Sequence, residues 1–215
     1  MTLRLAFFDV DGTLKSEPDP YLYLHRQLGT EAEGLANLEA FLAGQFDYET
    51  FAQRDAALWK GTPVDQVDAL FRAIPYVPEA RALAEALYRA GVPIVLISTG
   101  LDRHVRQVAE ELAAAAWAAN ELEVADGRLA GTIRVRVFWN SKGPLVREFM
   151  ARFGVGPQEC LAVGDSEGDL SMFAEVGHRI AVPSSHPALR RMADIVLGEA
   201  DLHTWLTRAV TADRR

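Results

Sequence analysis

The sequence predicts an α/β protein: a doubly wound parallel sheet with an all-helical block inserted after the first strand. Three observations carry this reading. Residues 3–8, 92–97 and 160–163 are short apolar runs without clean alternation, which suits strands buried on both faces. Stretches of helical periodicity alternate with these runs, as in two-sided α/β sheets. Residues 15–77 break that rhythm and hold no convincing strand.

In chain order, the first strand covers 3–8. The inserted block reads as helices near 20–28, 31–43, 48–58 and 63–73, punctuated by Gly29, Gly44, Gly61 and Pro63. A helix over 79–90 stops at Gly91, and a strand follows at 92–97. A helix over 102–116 comes next. Strands at 122–124 and 133–137 flank Asp126-Gly127, a hairpin signal. A helix over 143–153 carries Pro144 in its first turn. Strand 160–163, a helix near 168–175 and strands at 179–182 and 195–197 complete the series. The predicted division is an α/β core of residues 1–14 and 78–215 and a helical cap of residues 15–77. The cap stretch carries 10 acidic and 5 basic residues, so it is more acidic than the rest.

Composition bounds the function. The chain has 215 residues, 49% apolar and 24% charged, enough to build a core. Its net charge of −8 and lack of a basic block argue against nucleic acid as a partner. No apolar run nears the ~20 residues of a membrane helix, and the longest, 112–119, is mostly alanine. The single cysteine, Cys160, excludes an internal disulfide and fits a reducing compartment. The N-terminal apolar run is too short for a secretory signal, so a cytoplasmic location is expected. The partner expected is a small phosphorylated metabolite, with no nucleic acid and no membrane, and the chain a monomer or homodimer.

The strongest chemical signal is Asp9-Val10-Asp11-Gly12-Thr13-Leu14, at the C-terminal end of the first strand. Open α/β sheets place ligands there. Two carboxylates at i and i+2 on extended backbone can face one crevice, and Gly12 lets the chain turn after them. Such a pair can divide its work between nucleophile and acid/base. Ser98-Thr99-Gly100 follows the second buried strand, Lys142 stands at a helix start, and Gly164-Asp165-Ser166-Glu167-Gly168-Asp169 follows the third.

These four motifs, in this order, resemble the haloacid-dehalogenase-like phosphohydrolases, and most nearly their phosphoserine-phosphatase-like branch. The resemblance covers nearly the whole chain and implies a Rossmann-like core with a helical cap. It implies Asp9 as the nucleophile that forms an aspartyl-phosphate and Asp11 as the acid and then the base. It implies Mg²⁺ on the Asp9 carboxylate, the Asp11 main-chain carbonyl and Asp165, with Asp169 orienting that shell from behind. Gly12, Thr13, Ser98, Thr99, Gly100 and Lys142 would hold the phosphoryl group. In that branch a cap glutamate and arginine read the amino acid. Here Glu17 lies one residue early, and Asp55 stands at the arginine position with Arg54 beside it. Glu17 and Arg54 are therefore the candidate substrate contacts. A sugar, polyol or nucleotide leaving group stays open, as does a phosphoryl transferase or a phosphate-binding protein on the same fold.

The other chemistry-bearing residues are expected to be structural. His25, His104, His178, His186 and His203 show no metal-ligand spacing. Cys160 reads as a small core residue, and Trp59, Trp117, Trp139 and Trp205 as packing residues, with Trp59 and Phe46 also candidates to line the cap pocket. The tail 212–215 reads as frayed.

Overall fold

A computed structural model describes residues 3–198. His203, Trp205 and the tail 212–215 lie outside these residues. The chain order is β1 (Leu5–Phe8), α1 (Pro20–Leu28), α2 (Glu31–Leu42), α3 (Tyr48–Leu58), α4 (Val64–Ala73), α5 (Pro78–Arg89), β2 (Ile94–Leu101) and α6 (Asp102–Glu111). Then come β3 (Ala116–Ala125), β4 (Arg128–Arg134), α7 (Gly143–Phe153), β5 (Cys160–Gly164), α8 (Leu170–Phe173), β6 (His178–Ala181), α9 (Pro187–Met192) and β7 (Ile195–Val196). Among the described residues the sheet order is β4-β3-β2-β1-β5-β6-β7. All neighbours are parallel except the β3–β4 hairpin.

β1 sits at the centre, and its period of two explains both faces of the core. Ala6 and Phe8 point to the layer made by α5 and α6, where Leu83, Leu87, Val105 and Val108 are buried. Leu5 and Phe7 point to the opposite layer, with Val146 and Phe149 of α7, Phe173 of α8 and Leu189 of α9. The polypeptide leaves β1 for β2 on one side and reaches β5 on the other. This order reversal opens a crevice at the C-terminal ends of β1, β2 and β5, where ligands of such sheets bind.

Helices α1–α4 build a third buried cluster around Tyr21, Leu24, Phe51, Trp59 and Phe71. Their starts follow local chemistry. Asp19 caps α1 by accepting from the Leu22 N–H at 2.9 Å, with Pro20 opening the first turn. Asp47 caps α3 through the Thr50 N–H at 2.8 Å. The cluster also takes Leu122, Leu129 and Ile133 from the β3–β4 hairpin. The hairpin is stitched to the α3–α4 connection by Gly61 N–H to Leu129 O (2.8 Å), Leu129 N–H to Thr62 O (2.9 Å) and Val64 N–H to Gly127 O (3.0 Å).

Three sequence expectations need correction. β2 does not end at residue 97 but runs to Leu101, so Ser98-Thr99-Gly100 lies inside it. Its pairing with β3 steps from Ile97–Ala118 to Leu101–Asn120, four residues against two, and the strand bulges at this motif. The helix expected over 102–116 stops at Glu111, and β3 begins at Ala116. Alanine favours helix, but the open edge of β2 offers a parallel strand pairing, and Ala115 N–H already bonds Ile94 O at 2.8 Å. Trp139 is 45% exposed and does not pack inside, while Trp59 is fully buried. α9 was not anticipated.

Trp59 anchors the α1–α4 cluster by volume and by its N–H. Trp59→Ala is expected to destabilise the protein by ~3–5 kcal/mol in equilibrium denaturant unfolding. A loss under ~1 kcal/mol would show that this cluster is not a cooperative part of the fold.

Candidate active site

Asp9 and Asp11 leave the C-terminal end of β1 and are 4% and 8% exposed. Gly12 has φ +80°, and a Cβ there would lie 2.3 Å from Asp165 Oδ2, so no other residue lets the two loops approach this closely. Thr13, fully buried, donates to Asp165 Oδ1 at 3.0 Å. Lys142 precedes α7, and its main-chain N–H is held by Ser171 Oγ at 3.0 Å. The Lys142 ammonium, 2% exposed, donates to Asp9 Oδ1 at 2.5 Å and Asp169 Oδ1 at 2.6 Å. The other Asp169 oxygen accepts from the N–H groups of Asp165 and Ser166, both at 3.0 Å, and from the Ser166 hydroxyl at 3.2 Å. One buried carboxylate thus shapes the β5 loop and orients the lysine.

Electrostatics follow from crowding. Burial raises the Asp9 carboxyl well above the ordinary range; Lys142 opposes this, and Asp169, Asp165 and Asp11 add to it. Burial and then Asp169 push Asp165 up to about 7. Burial alone would lower the Lys142 ammonium, but the Asp169 and Asp9 carboxylates outweigh it and hold it above its usual value. Oxygens of Asp9, Asp165 and Asp169 lie within 4.8 Å of one another. An all-oxygen set with surplus negative charge fits a hard divalent cation. Asp169 Oδ1 is taken by Lys142, so Asp9 and Asp165 are the carboxylates best placed to meet it.

Asp11 has its own supports. Its Oδ2 accepts from the Ser98 hydroxyl at 2.7 Å, and its Oδ1 lies 2.9 Å from His104 Nδ1. The His104 ring is fully buried and stacks on Phe71 of α4, with centroids 4.9 Å apart. Nδ1 is the donor to Asp11, because a carboxylate can only accept. The sequence reading missed His104; its available signal was a histidine in the first turn of the helix after the Ser98 motif.

The structure brings Asp9, Asp11, Gly12, Thr13, Ser98, Lys142, Asp165 and Asp169 together. Thr99 and Gly100 line the same cavity, of about 240 Å³, whose far walls come from α1, α2 and α3. Glu17 and Arg54 are not among its lining residues. Glu17 accepts from Arg26 at 2.7 Å, and Arg54 stacks over Phe46 with 4.2 Å to the ring centroid. Neither Trp59 nor Phe46 lines the cavity. Asp19, not foreseen, does. Among the described residues, no helix is long and apolar enough to cross a membrane.

A raised carboxyl opposes folding once it must ionise. Without a cation, stability from Asp165 is present at low pH and is lost as pH rises from about 4 through about 7, and the raised Asp9 carboxyl acts in the same direction. A bound cation reverses this, because it needs both carboxylates ionised. A divalent cation at ~100-fold excess over its Kd is expected to raise Tm by ~5–10 °C at pH 8. The gain should shrink steadily at pH 6 and pH 5. Equal shifts at pH 5 and pH 8 in a thermal unfolding series would remove these carboxylates as the ligands.

The family model described as haloacid dehalogenase-like hydrolase matches residues 6–174. Phosphoserine phosphatase SerB2 of Mycobacterium tuberculosis is 32% identical over 206 residues, 95% of this chain and 50% of that protein. The chain thus spans half the length of this relative. The phosphoserine phosphatase of Methanocaldococcus jannaschii is 28% identical over 200 residues, 93% of this chain and 94% of that one. A solved phospho-aspartyl intermediate analogue of phosphoserine phosphatase superposes with a TM-score of 0.78 at 28% identity, covering 97% of this chain and 100% of the other. The order of motifs, the sheet and the crevice agree with these likenesses, and the chain belongs to the haloacid dehalogenase-like hydrolases, in their phosphoserine-phosphatase-like branch.

Proposed function

We propose that the chain is a Mg²⁺-dependent phosphomonoester hydrolase of small phosphorylated metabolites, working through an aspartyl-phosphate on Asp9. The observation that carries this reading is the Asp9 carboxylate, buried beside Lys142, with a second carboxylate, Asp11, separately oriented by Ser98 and His104. In this reading residues 1–14 and 78–215 are the catalytic core, and residues 15–77 are a cap over it. Mg²⁺ would be held by the Asp9 carboxylate, the Asp11 main-chain carbonyl and Asp165, and it would supply positive charge toward the phosphoryl oxygens.

The residues of the chain do the rest. Lys142 binds one Asp9 oxygen and leaves the other for phosphorus. It also offsets the repulsion between an anionic nucleophile and an anionic ester. Asp9 attacks, the bond from phosphorus to the alcohol oxygen breaks, and Asp11 gives that oxygen the proton it took from water in the turnover before. Asp11 then takes a proton from water, which attacks the aspartyl-phosphate and releases phosphate. Ser98 and Gly12–Thr13 border the phosphoryl site. The cytoplasm suits this chemistry and the inert thiol of Cys160, which burial pushes up to about 12.

The direct test is phosphate release across a panel of phosphomonoesters with Mg²⁺. Asp9→Asn is expected to lower kcat by ~10³-fold or more, as loss of a nucleophile does. A fully active Asp9→Asn protein would end the proposal.

His104 is a positioning residue in this scheme. His104→Leu should lower kcat by ~10–100-fold with KM nearly unchanged, since a misplaced acid/base costs this much. His104→Asn, whose amide reaches near the Nδ1 position, should restore most of the loss. Equal defects in both variants would assign His104 a packing role only.

A further inference from the structure

Among the described residues, the cavity wall away from Lys142 offers no cation to a carboxylate. Among the described residues lining it, Lys142 is the one cation, and both its strong contacts are already made to Asp9 and Asp169. Arg54 and Asp55 of α3 are both absent from the cavity wall, and Asp55 is 1% exposed. Burying an unpaired carboxylate there would cost several kcal/mol.

The same walls offer little to a sugar or polyol. The Tyr48 hydroxyl, kept protonated by burial that pushes it up to about 12, donates to Thr99 O at 3.0 Å and accepts from Asn120 at 3.1 Å. The Tyr21 hydroxyl faces Asn120 as well, at 3.4 Å. Both tyrosines therefore spend their polar ends on the core and present ring surface to the cavity. Phe41, Phe51, Pro20 and Trp139 extend that surface. Among the described residues, Asp19, half-buried, is the carboxylate that lines the cavity outside the Asp9, Asp11 and Asp165 group. One of its oxygens accepts from Leu22 N–H at 2.9 Å. Burial raises its carboxyl, the Leu22 bond opposes this, and Asp11 adds to the rise. A carboxylate among aromatic faces is the recognition chemistry of an ammonium group.

We propose that the leaving group is an alcohol bearing an ammonium group and no carboxylate, so that the substrate class is the phosphate monoesters of amino alcohols, held by Asp19 and the aromatic walls of α1–α3. The inference rests on the hydrolase reading for its phosphate end. On hydrolysis, the ester oxygen leaves phosphorus with the Asp11 proton, water supplies the oxygen of the released phosphate, and the amino alcohol departs as a cation.

The test compares phosphocholine, phosphoethanolamine, phosphoserine and propyl phosphate, a neutral ester of similar size. In steady-state phosphate release with Mg²⁺, kcat/KM for the two amino-alcohol esters is expected to exceed that for phosphoserine and propyl phosphate by ~10-fold or more, the scale of a desolvated cation–π site. Asp19→Asn keeps the α1 cap, since asparagine caps as well as aspartate. It should cut kcat/KM for the two amino-alcohol esters by ~10-fold or more relative to propyl phosphate. A preference for phosphoserine, or an equal loss on all four esters in Asp19→Asn, overturns the inference. If no ester is hydrolysed, the hydrolase reading fails by itself. Calorimetric binding of the same compounds to the Asp9→Asn protein with Mg²⁺ then decides: tighter phosphocholine supports the inference, and equal affinities sink it.

Discussion

A carboxylate can attack a phosphate ester only if something cancels the repulsion between two anions, and here the Lys142 ammonium stands 2.5 Å from Asp9, the carboxylate proposed to attack. It joins three parts of the chain. Asp9 belongs to the central strand, Asp169 to the turn after β5, and Lys142 to the start of α7. Four carboxylates, Asp9, Asp11, Asp165 and Asp169, crowd around this one ammonium. The resulting surplus of negative charge is unfavourable without a ligand and becomes favourable with a divalent cation. Asp169 carries the architectural load. It is fully buried and turns one oxygen to the lysine and the other to the loop N–H groups of Asp165 and Ser166. The loop conformation and the lysine position are therefore set by the same side chain.

Above this floor, α1–α4 are fastened along one edge. Arg103 pairs with Asp68, Gln107 donates to Asp68 O at 3.1 Å, and the β3–β4 hairpin grips the α3–α4 connection. Tyr48 adds a contact to Thr99 O in β2. Leu42, 73% exposed, and Trp139, 45% exposed, also line the cavity and mark its mouth on the opposite side. His104 connects the two layers in another way. Its ring stacks on Phe71 of α4 while its Nδ1 meets Asp11. The position of one helix of the roof is thereby tied to the orientation of the acid/base, and a roof displaced at α4 would loosen that orientation.

Most of the fold was legible because its punctuation is local. Asp19-Pro20, Gly29, Asp47 and Pro63 bound α1–α4 closely, and Asp126-Gly127, with φ +50° and +72°, makes the expected hairpin turn. The errors lie where partners distant in sequence decide. Residues 113–119 are nearly all alanine or tryptophan, and only the unpaired edge of β2 makes their second half a strand. The charged floor of the site was legible because Asp9-Val10-Asp11 follows β1 and Asp165 to Asp169 follow β5, which fixes the crevice these carboxylates share. His104 and Asp19 were not, because each depends on what a neighbouring element brings over it. Glu17 and Arg54 were placed by analogy to a register, and each finds a nearer partner than the cavity.

Asp55 is held by its neighbours rather than by the cavity. Trp59 Nε1 donates to His25 Nδ1 at 3.1 Å, which places the imidazole proton on Nε2, facing Asp55 Oδ1 at 3.3 Å. Asn37 donates to the same oxygen at 2.8 Å, and Thr30 meets His25 Nδ1 at 2.7 Å. Gly34 in the first turn of α2 admits the His25 ring, since a Cβ there would stand 2.4 Å from it. An arginine at position 55 would meet an imidazole and an amide donor in a closed pocket and would leave its charge unpaired. The roof has therefore committed this position to its own internal polarity. In the proposed reading, discrimination among phosphate esters is left to the ring faces and to Asp19.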